Sequence, residues 1–217
     1  MRTRILSFVR AGALALVLIP ASAAAQSGGG GGGGGSGRGG EKWLEPPTQA
    51  PSIRRGERLR NLDFLFEALK HAPNEEAAKA VADRIWGIWM NSGGDTTNLL
   101  ISRVRNAMEA KDYDLALQLL DAAIEFKPEY AEAWNQRATV YFLKKDYQRA
   151  VSDLAQVIAR EPRHFGALFG LGVIMQEFGD DKRALEVYRK LLEIDPHMKR
   201  VPELVKQLTE KVEGRDI

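Results

Sequence analysis

Apolar and polar positions follow a helical rhythm in three segments of the chain that share one frame. The segments ALQLLDAAIEFKP, AVSDLAQVIAREP and ALEVYRKLLEIDP begin at Ala116, Ala150 and Ala184, and each ends on a proline twelve positions later. Both intervals between the starts are 34 residues. Internal similarity at this period is typical of an array of helix-turn-helix repeats, and it argues against a single closed globular core.

Each repeat is predicted to be a pair of antiparallel helices, A and B, and the three units span 97–130, 131–164 and 165–198. A small residue at the twentieth position of each unit, and at the eighth position of the last two (Ala138 and Gly172), lets the two helices approach closely, while larger residues fill the remaining space. A proline ends helix B because it cannot continue the helix. An aspartate that recurs before each helix B is placed to cap it; these are Asp112, Asp146 and Asp180.

Two further elements flank the three units. Residues 53–96 are predicted to form a degenerate helix pair, a first unit whose helix B is capped by Asn74 and carries Trp86 and Trp89 at core positions. Residues 199–217 begin with a proline in the first turn and place apolar residues on one face only. This segment is predicted to be a capping helix and tail that covers the last repeat.

The pattern resembles that of the tetratricopeptide repeat family over residues 57–198. The positions that carry the signature are Ala116, Pro128, Trp134, Ala138, Tyr141, Ala150, Pro162, Leu168, Gly172, Ala184, Tyr188 and Pro196. The resemblance implies an all-α fold, a right-handed solenoid of about four helix-turn-helix units with a C-terminal capping helix. The chain also resembles small exported repeat proteins of alphaproteobacteria, which implies a role in cell-envelope assembly or integrity.

The N-terminus has the features of an export signal. Arg2, Arg4 and Arg10 lead into the apolar run AGALALVLI, and ASAAA follows it, which predicts a signal peptide over 1–25 with cleavage before Gln26. The apolar run is shorter than the roughly 20 residues of a membrane-spanning helix, so no transmembrane segment is expected in the mature chain. Residues 26–52 are rich in glycine and proline and are predicted to be a disordered linker. We therefore expect an exported, periplasmic protein.

Charge and cysteine usage narrow the function classes. The chain has 31 basic and 29 acidic residues, and three of the arginines belong to the predicted signal peptide, so the mature chain is near neutral. Nucleic-acid binding is disfavoured because no basic stripe remains to contact phosphates. The chain has no cysteine, which removes a lipid-anchor site and a disulfide framework.

No constellation of residues predicts catalysis, a metal site or a cofactor. The histidines His71, His164 and His197 are not paired at metal-ligand spacing, and no nucleophile motif is present. His164 follows the closing Pro162 by two residues and His197 follows Pro196 by one, which favours a hydrogen bond at the junction between units. The chain is therefore not expected to be an enzyme.

The expected binding surface is the concave groove lined by the A helices. Helical spacing places these candidate partner-binding residues there: Asn98, Ile101, Arg105, Met108, Asn135, Thr139, Phe142, Phe169, Val173 and Gln176. The alternative is that the apolar members pack against neighbouring helices. Gly166 and Gly170 have two interpretations as well, close approach by a ligand or tight packing against the preceding helix B.

Some members of the family hold acidic C-terminal peptides through lysine, arginine and asparagine at set positions of helix A, and the lysines are missing here. We expect a scaffold that binds proteins or peptides, envelope proteins in particular, as a monomer or with weak self-association. The alternative is a regulatory accessory subunit of an envelope enzyme or of a secretion or assembly machine.

Overall fold

The structure is a computed structural model that describes residues 55–91 and 94–214, with the side chains of 55–60 left out. The predicted signal peptide at 1–25 and linker at 26–52 lie outside the described residues. Within the described ranges the chain is all-α and contains no strand. Its helices are α1 (Arg55–Lys70), α2 (Glu75–Met90), α3 (Asp95–Glu109), α4 (Tyr113–Phe126), α5 (Ala131–Leu143), α6 (Tyr147–Arg160), α7 (Phe165–Glu177), α8 (Asp181–Ile194) and α9 (Val201–Val212).

The all-α repeat fold predicted from the sequence is confirmed. Helices α3 to α8 form three successive A–B pairs, and each helix B also packs against helix A of the next pair. Helix α9 packs against α8 and buries Val201 and Leu208 in the core, as expected of a capping helix. Each pair thus buries the hydrophobic face of the one before it, and α9 covers the last.

The three turns between helices A and B share one geometry. In each turn a left-handed residue, with φ of 58°, 61° and 74°, precedes the capping aspartate; these are Lys111, Lys145 and Gly179. The next residue caps helix B, because its Oδ1 accepts a hydrogen bond at 3.1 Å from a backbone N–H in the first turn. The predicted caps at Asp112, Asp146 and Asp180 are therefore confirmed.

The small residue at the eighth position of a unit is matched to a large residue of helix B. In the last unit, a Cβ atom added at Gly172 would lie 2.5 Å from Cε1 of Tyr188, so only a glycine leaves room for this buried ring. In the unit before it, the equivalent residues Ala138 and Leu154 share one core cluster. The close A–B packing predicted from the small positions is observed at both of these pairs.

Arg137 joins the second and third units. Its guanidinium donates to both carboxylate oxygens of Asp153 at 2.8 Å, and to Asp121 of α4 at 2.7 Å. It also lies over the ring of Trp134, 4.9 Å from the centroid. These hydrogen bonds, led by those that Arg137 donates to Asp153, raise the pKa of Arg137 above its ordinary value. The charge is therefore fixed at the junction between units.

The N-terminal helix pair lies elsewhere than the sequence analysis expected. The predicted cap is confirmed, since Asn74 Oδ1 accepts from the N–H of Ala77 at 2.9 Å. However, the pair contacts α5 and α8 and shares one hydrophobic cluster with the last unit and α9. We call this pair, residues 55–90, the N-terminal hairpin. It packs along the array instead of extending it as a stacked first unit.

Candidate protein-binding groove

The predicted groove residues fall into an open part and a covered part. On α3, Asn98 and Arg105 are exposed and Met108 is half-buried, whereas Ile101 is buried in the core of the second unit. On α7, by contrast, Phe169 and Val173 are buried in the cluster that contains the hairpin. The groove is therefore open at its N-terminal end and covered at its C-terminal end.

The predicted residues between these two ends are used within the fold. Asn135 is buried and donates to the Glu132 carboxylate at 3.2 Å, while the hydroxyl of Thr139 donates to the Asn135 carbonyl at 3.0 Å. Phe142 is half-buried and packs edge-on against Tyr147. These contacts, and the burial of Ile101, Phe169 and Val173, favour the packing alternative for the apolar members of the set. Gln176 accepts from the hydroxyl of Tyr188 at 2.9 Å.

Two tryptophans of α2 reach the start of α7. The ring of Trp89 stacks on His164 with 4.1 Å between centroids and 13° between planes, and Trp86 meets the same ring edge-on at 5.5 Å. Phe165 lies against both indoles, at 4.9 Å and 5.3 Å. A Cβ atom added at Gly166 would lie 2.9 Å from Cη2 of Trp86. Gly166 therefore packs tightly against the hairpin, which is neither the ligand nor the preceding helix B of the two interpretations.

Gly170 differs from Gly166. A Cβ atom added there would lie 3.6 Å from Cδ1 of Leu154 on the preceding helix B, which is an ordinary contact distance. Gly170 therefore faces the neighbouring helix, without the tight fit that would require a glycine. The two glycines that sequence analysis grouped together serve different surfaces of α7.

His164 is the polar centre of this contact. It is fully buried, and its Nδ1 accepts from the N–H of Ala167 at 3.1 Å, so the ring caps α7. Because Nδ1 accepts, the ring proton is on Nε2, which donates to Glu132 Oε2 at 3.3 Å. The junction hydrogen bond predicted for His164 is confirmed. Both ring nitrogens are occupied by structural partners.

Polar contacts line the rim of the hairpin. Arg163 donates to Asp63 at 2.8 Å and lies 4.1 Å from the Phe66 centroid. At the hairpin tip, His197 Nε2 donates to the Ala72 carbonyl at 2.9 Å, which confirms the second predicted junction bond, although its acceptor lies in the hairpin. Two further contacts complete the rim: Lys199 pairs with Glu75 at 2.5 Å, and the hydroxyl of Tyr130 donates to the Met90 carbonyl at 3.0 Å.

The hairpin position was missed by the sequence analysis, and a signal for it exists on α3. At the third and tenth positions of helix A, the later units bury Ala133 and Val140 against the preceding helix B. The equivalent residues of α3 are Leu99, which is 57% exposed, and Asn106, which is also exposed. A polar residue at the tenth position indicates that no unit stacks on this end of the array.

Neither a metal site nor a membrane span is found in the parts of the chain that the structure describes. In 55–91 and 94–214, no three histidine, aspartate or glutamate side chains group in a way that would hold a metal ion. Across the same residues, no helix has the length and apolarity needed to cross a bilayer.

Comparison with known proteins identifies the repeats. The tetratricopeptide repeat model matches residues 101–156 and 144–199. A TPR repeat-containing protein of Rhizobium etli is 40% identical over 153 residues, which cover 70% of this chain and 75% of that protein. The small glutamine-rich tetratricopeptide repeat-containing protein 2 of Saccharomyces cerevisiae is 35% identical over 89 residues, 41% of this chain and 26% of that protein.

Two solved structures share the fold. MamA is similar with a TM-score of 0.52 and 18% identity, over 75% of this chain and 86% of that chain. The first TPR of Spaghetti, solved with an HSP90 peptide, gives a TM-score of 0.51 at 18% identity, over 54% of this chain and 94% of that chain. The repeat signature, the helix pairs and the Rhizobium etli relative together show that this chain belongs to the tetratricopeptide repeat family.

Proposed function

We propose that this protein is an exported scaffold that binds protein partners in the cell envelope through the open part of its groove. Tetratricopeptide repeat proteins mediate protein–protein interactions, and their A helices present an extended concave surface. The observation that carries the proposal is a repeat array that follows a glycine-rich segment and an N-terminus with the sequence features of an export signal. The envelope role is supported by the resemblance to exported repeat proteins of alphaproteobacteria.

The open part of the groove supplies the contact surface. Asn98 and Arg105 present exposed polar side chains two helical turns apart on the groove face of α3. Met108 lies on the same face and adds a half-buried thioether. A cation and an amide beside a polarisable apolar group suit an extended or helical peptide that carries an acidic residue. Because the groove lacks the lysines of the peptide clamp found in some family members, the partner is not expected to be an acidic chaperone tail.

The test compares two arginines on one helix. The mature chain is used to capture partners from crosslinked envelope extracts, beside Arg105→Glu in the groove and Arg103→Glu on the exposed end face of α3. We expect a small set of envelope proteins to be captured by the wild type and by Arg103→Glu, and to be lost with Arg105→Glu. Partners that survive Arg105→Glu and disappear with Arg103→Glu would move the binding site to the end face.

Location is tested separately. Fractionation of cells that make the tagged chain is expected to place it in the periplasm. Its measured mass is expected to be that of a chain that begins at Gln26. A full-length mass in the cytoplasmic fraction would contradict the export part of the proposal.

A further inference from the structure

The N-terminal hairpin contacts the groove in the way that a bound helix does. Trp86 and Trp89 are one turn apart on α2, and both rings lie against His164 and Phe165 at the start of α7. Gly166 completes this contact surface, because any larger side chain there would meet Trp86. We call the surface formed by His164, Phe165 and Gly166 the seat. The chemistry of the seat is thus specific for an aromatic pair on a helix.

The rim contacts orient the hairpin without adding much to its binding. The Asp63, Glu75 and Lys199 side chains are all largely exposed, and exposed ion pairs contribute little because water screens them. They are also arranged with one polarity, since the hairpin supplies the acids and the array supplies the bases. A helix that replaced α2 would be aligned by Lys199, which pairs with Glu75, whereas Arg163 pairs with Asp63 of α1.

The seat is imperfect for its present occupant. Nε1 of Trp89 is buried, and within the described residues no acceptor lies at hydrogen-bonding distance from it. A buried indole N–H without a partner is destabilising, because its hydration is lost and not replaced. A competing helix that satisfies or omits this donor would therefore bind better than α2.

We propose that the groove formed by α5 and α7 is a helix-binding site, and that the N-terminal hairpin occupies it until a partner helix displaces it. The partner is a protein with an amphipathic helix that presents two aromatic side chains one turn apart and an acidic residue at the end that meets Lys199. This inference deepens the proposed function and rests on it for the identity of the partner. The site itself is defined by the contacts of the hairpin.

The tether sets the affinity that a partner observes. A segment joined to its own binding site has a local concentration in the millimolar range, so it competes strongly with a partner in solution. The apparent affinity of the partner is the intrinsic affinity multiplied by the fraction of open chains. Weakening the hairpin must therefore strengthen binding in trans, as long as the array stays folded when the hairpin is open.

The experiment uses a labelled peptide of residues 74–91 as the probe and the full mature chain as the receptor. Binding is followed by fluorescence anisotropy for the wild type and for Trp86→Ala/Trp89→Ala, whose groove is unchanged. We expect the double variant to bind the peptide at least tenfold more tightly. Phe64→Ala is the matched control, since Phe64 is 72% exposed on the same hairpin, and it is expected to bind like the wild type.

A second set of chains tests closure directly. The chain has no native cysteine, so Glu75→Cys/Lys199→Cys can be joined selectively by a short flexible bis-maleimide. We expect the crosslinked chain to lose peptide binding at least tenfold relative to the same chain before crosslinking. If the tryptophan variant proves unfolded by circular dichroism, Asp63→Lys/Glu75→Lys breaks only the rim pairs and is expected to tighten binding about threefold.

Three results would overturn the inference. In the first, the folded tryptophan variant, or the rim variant if it is used instead, binds the peptide no better than the wild type. In the second, crosslinking leaves peptide binding unchanged. In the third, the wild type sediments as a dimer, which would mean that the hairpin lies in the groove of a second copy. Because the probe is the chain's own helix, these outcomes are independent of whether envelope capture finds a partner.

Discussion

Replacing Gly172 by alanine tests how tightly the last repeat is packed. The added Cβ would lie 2.5 Å from Cε1 and 2.7 Å from Cζ of Tyr188, well inside van der Waals contact. The ring has little room to retreat, because it is fully buried and its hydroxyl donates to Gln176 at 2.9 Å. Overpacking costs about 1–3 kcal/mol, whereas alanine gains up to about 1 kcal/mol in helix propensity. We expect a net loss of about 1–2 kcal/mol in the free energy of unfolding.

The same helix provides the control, and the preceding unit provides the rescue. Gly170→Ala places its Cβ 3.6 Å from Leu154, so the propensity gain should remain and stabilise the chain by about 0.5–1 kcal/mol. Gly172→Ala/Tyr188→Leu reproduces the Ala138 and Leu154 pair of the third unit. We expect the double variant to be at least about 1 kcal/mol more stable than the sum of the two single changes predicts.

Urea unfolding followed by far-ultraviolet circular dichroism measures these differences. Midpoints are compared at constant slope, because repeat arrays can depart from two-state behaviour. The reasoning is refuted if Gly172→Ala unfolds at the same urea concentration as Gly170→Ala, or at a higher one. That result would mean that the Tyr188 ring moves aside at no cost.

Two further predictions concern buried carboxylates. Asp153→Ala is expected to lower the free energy of unfolding by about 3 kcal/mol, because it leaves the Arg137 charge with one exposed partner. Asp121→Ala removes the exposed partner and should cost under about 1 kcal/mol. Urea midpoints that fall equally in the two variants would contradict this. Burial raises the pKa of Asp195 above its ordinary value of 3.8, although the N–H of His197 partly offsets the shift. The wild type should therefore lose stability relative to Asp195→Asn as pH rises through the raised pKa, and a pH-independent difference between their melting temperatures would contradict this.

The periodic features of the fold could be predicted from the sequence because they depend on local chemistry. A small residue, a closing proline and a capping aspartate act within one unit, so their spacing was enough to predict the helix pairs and the caps. The need for glycine at position 172 could be predicted only by also considering Tyr188, because the size of the residue on helix B decides how small its partner on helix A must be. The groove positions were also predicted, but periodicity does not reveal which of them another segment covers.

The position of the N-terminal hairpin depends on a choice between two surfaces. Its apolar face predicts that it packs against something, and both the end of α3 and the groove are available. Stacking on α3 would bury Asn106 where the next unit buries Val140, and the lost hydration of this amide would need new partners.

The groove offers the opposite chemistry, with Phe165 and the stacked ring of His164 facing the tryptophans. Gly166 leaves room for Trp86, and Arg163 covers the ring of Phe66. The polar surface of α3 disfavours stacking of the hairpin, and the aromatic groove favours its binding. Both effects place the hairpin in the groove. Because one of these surfaces is the groove, the contacts that complete the core of the last unit also decide which helices can enter it.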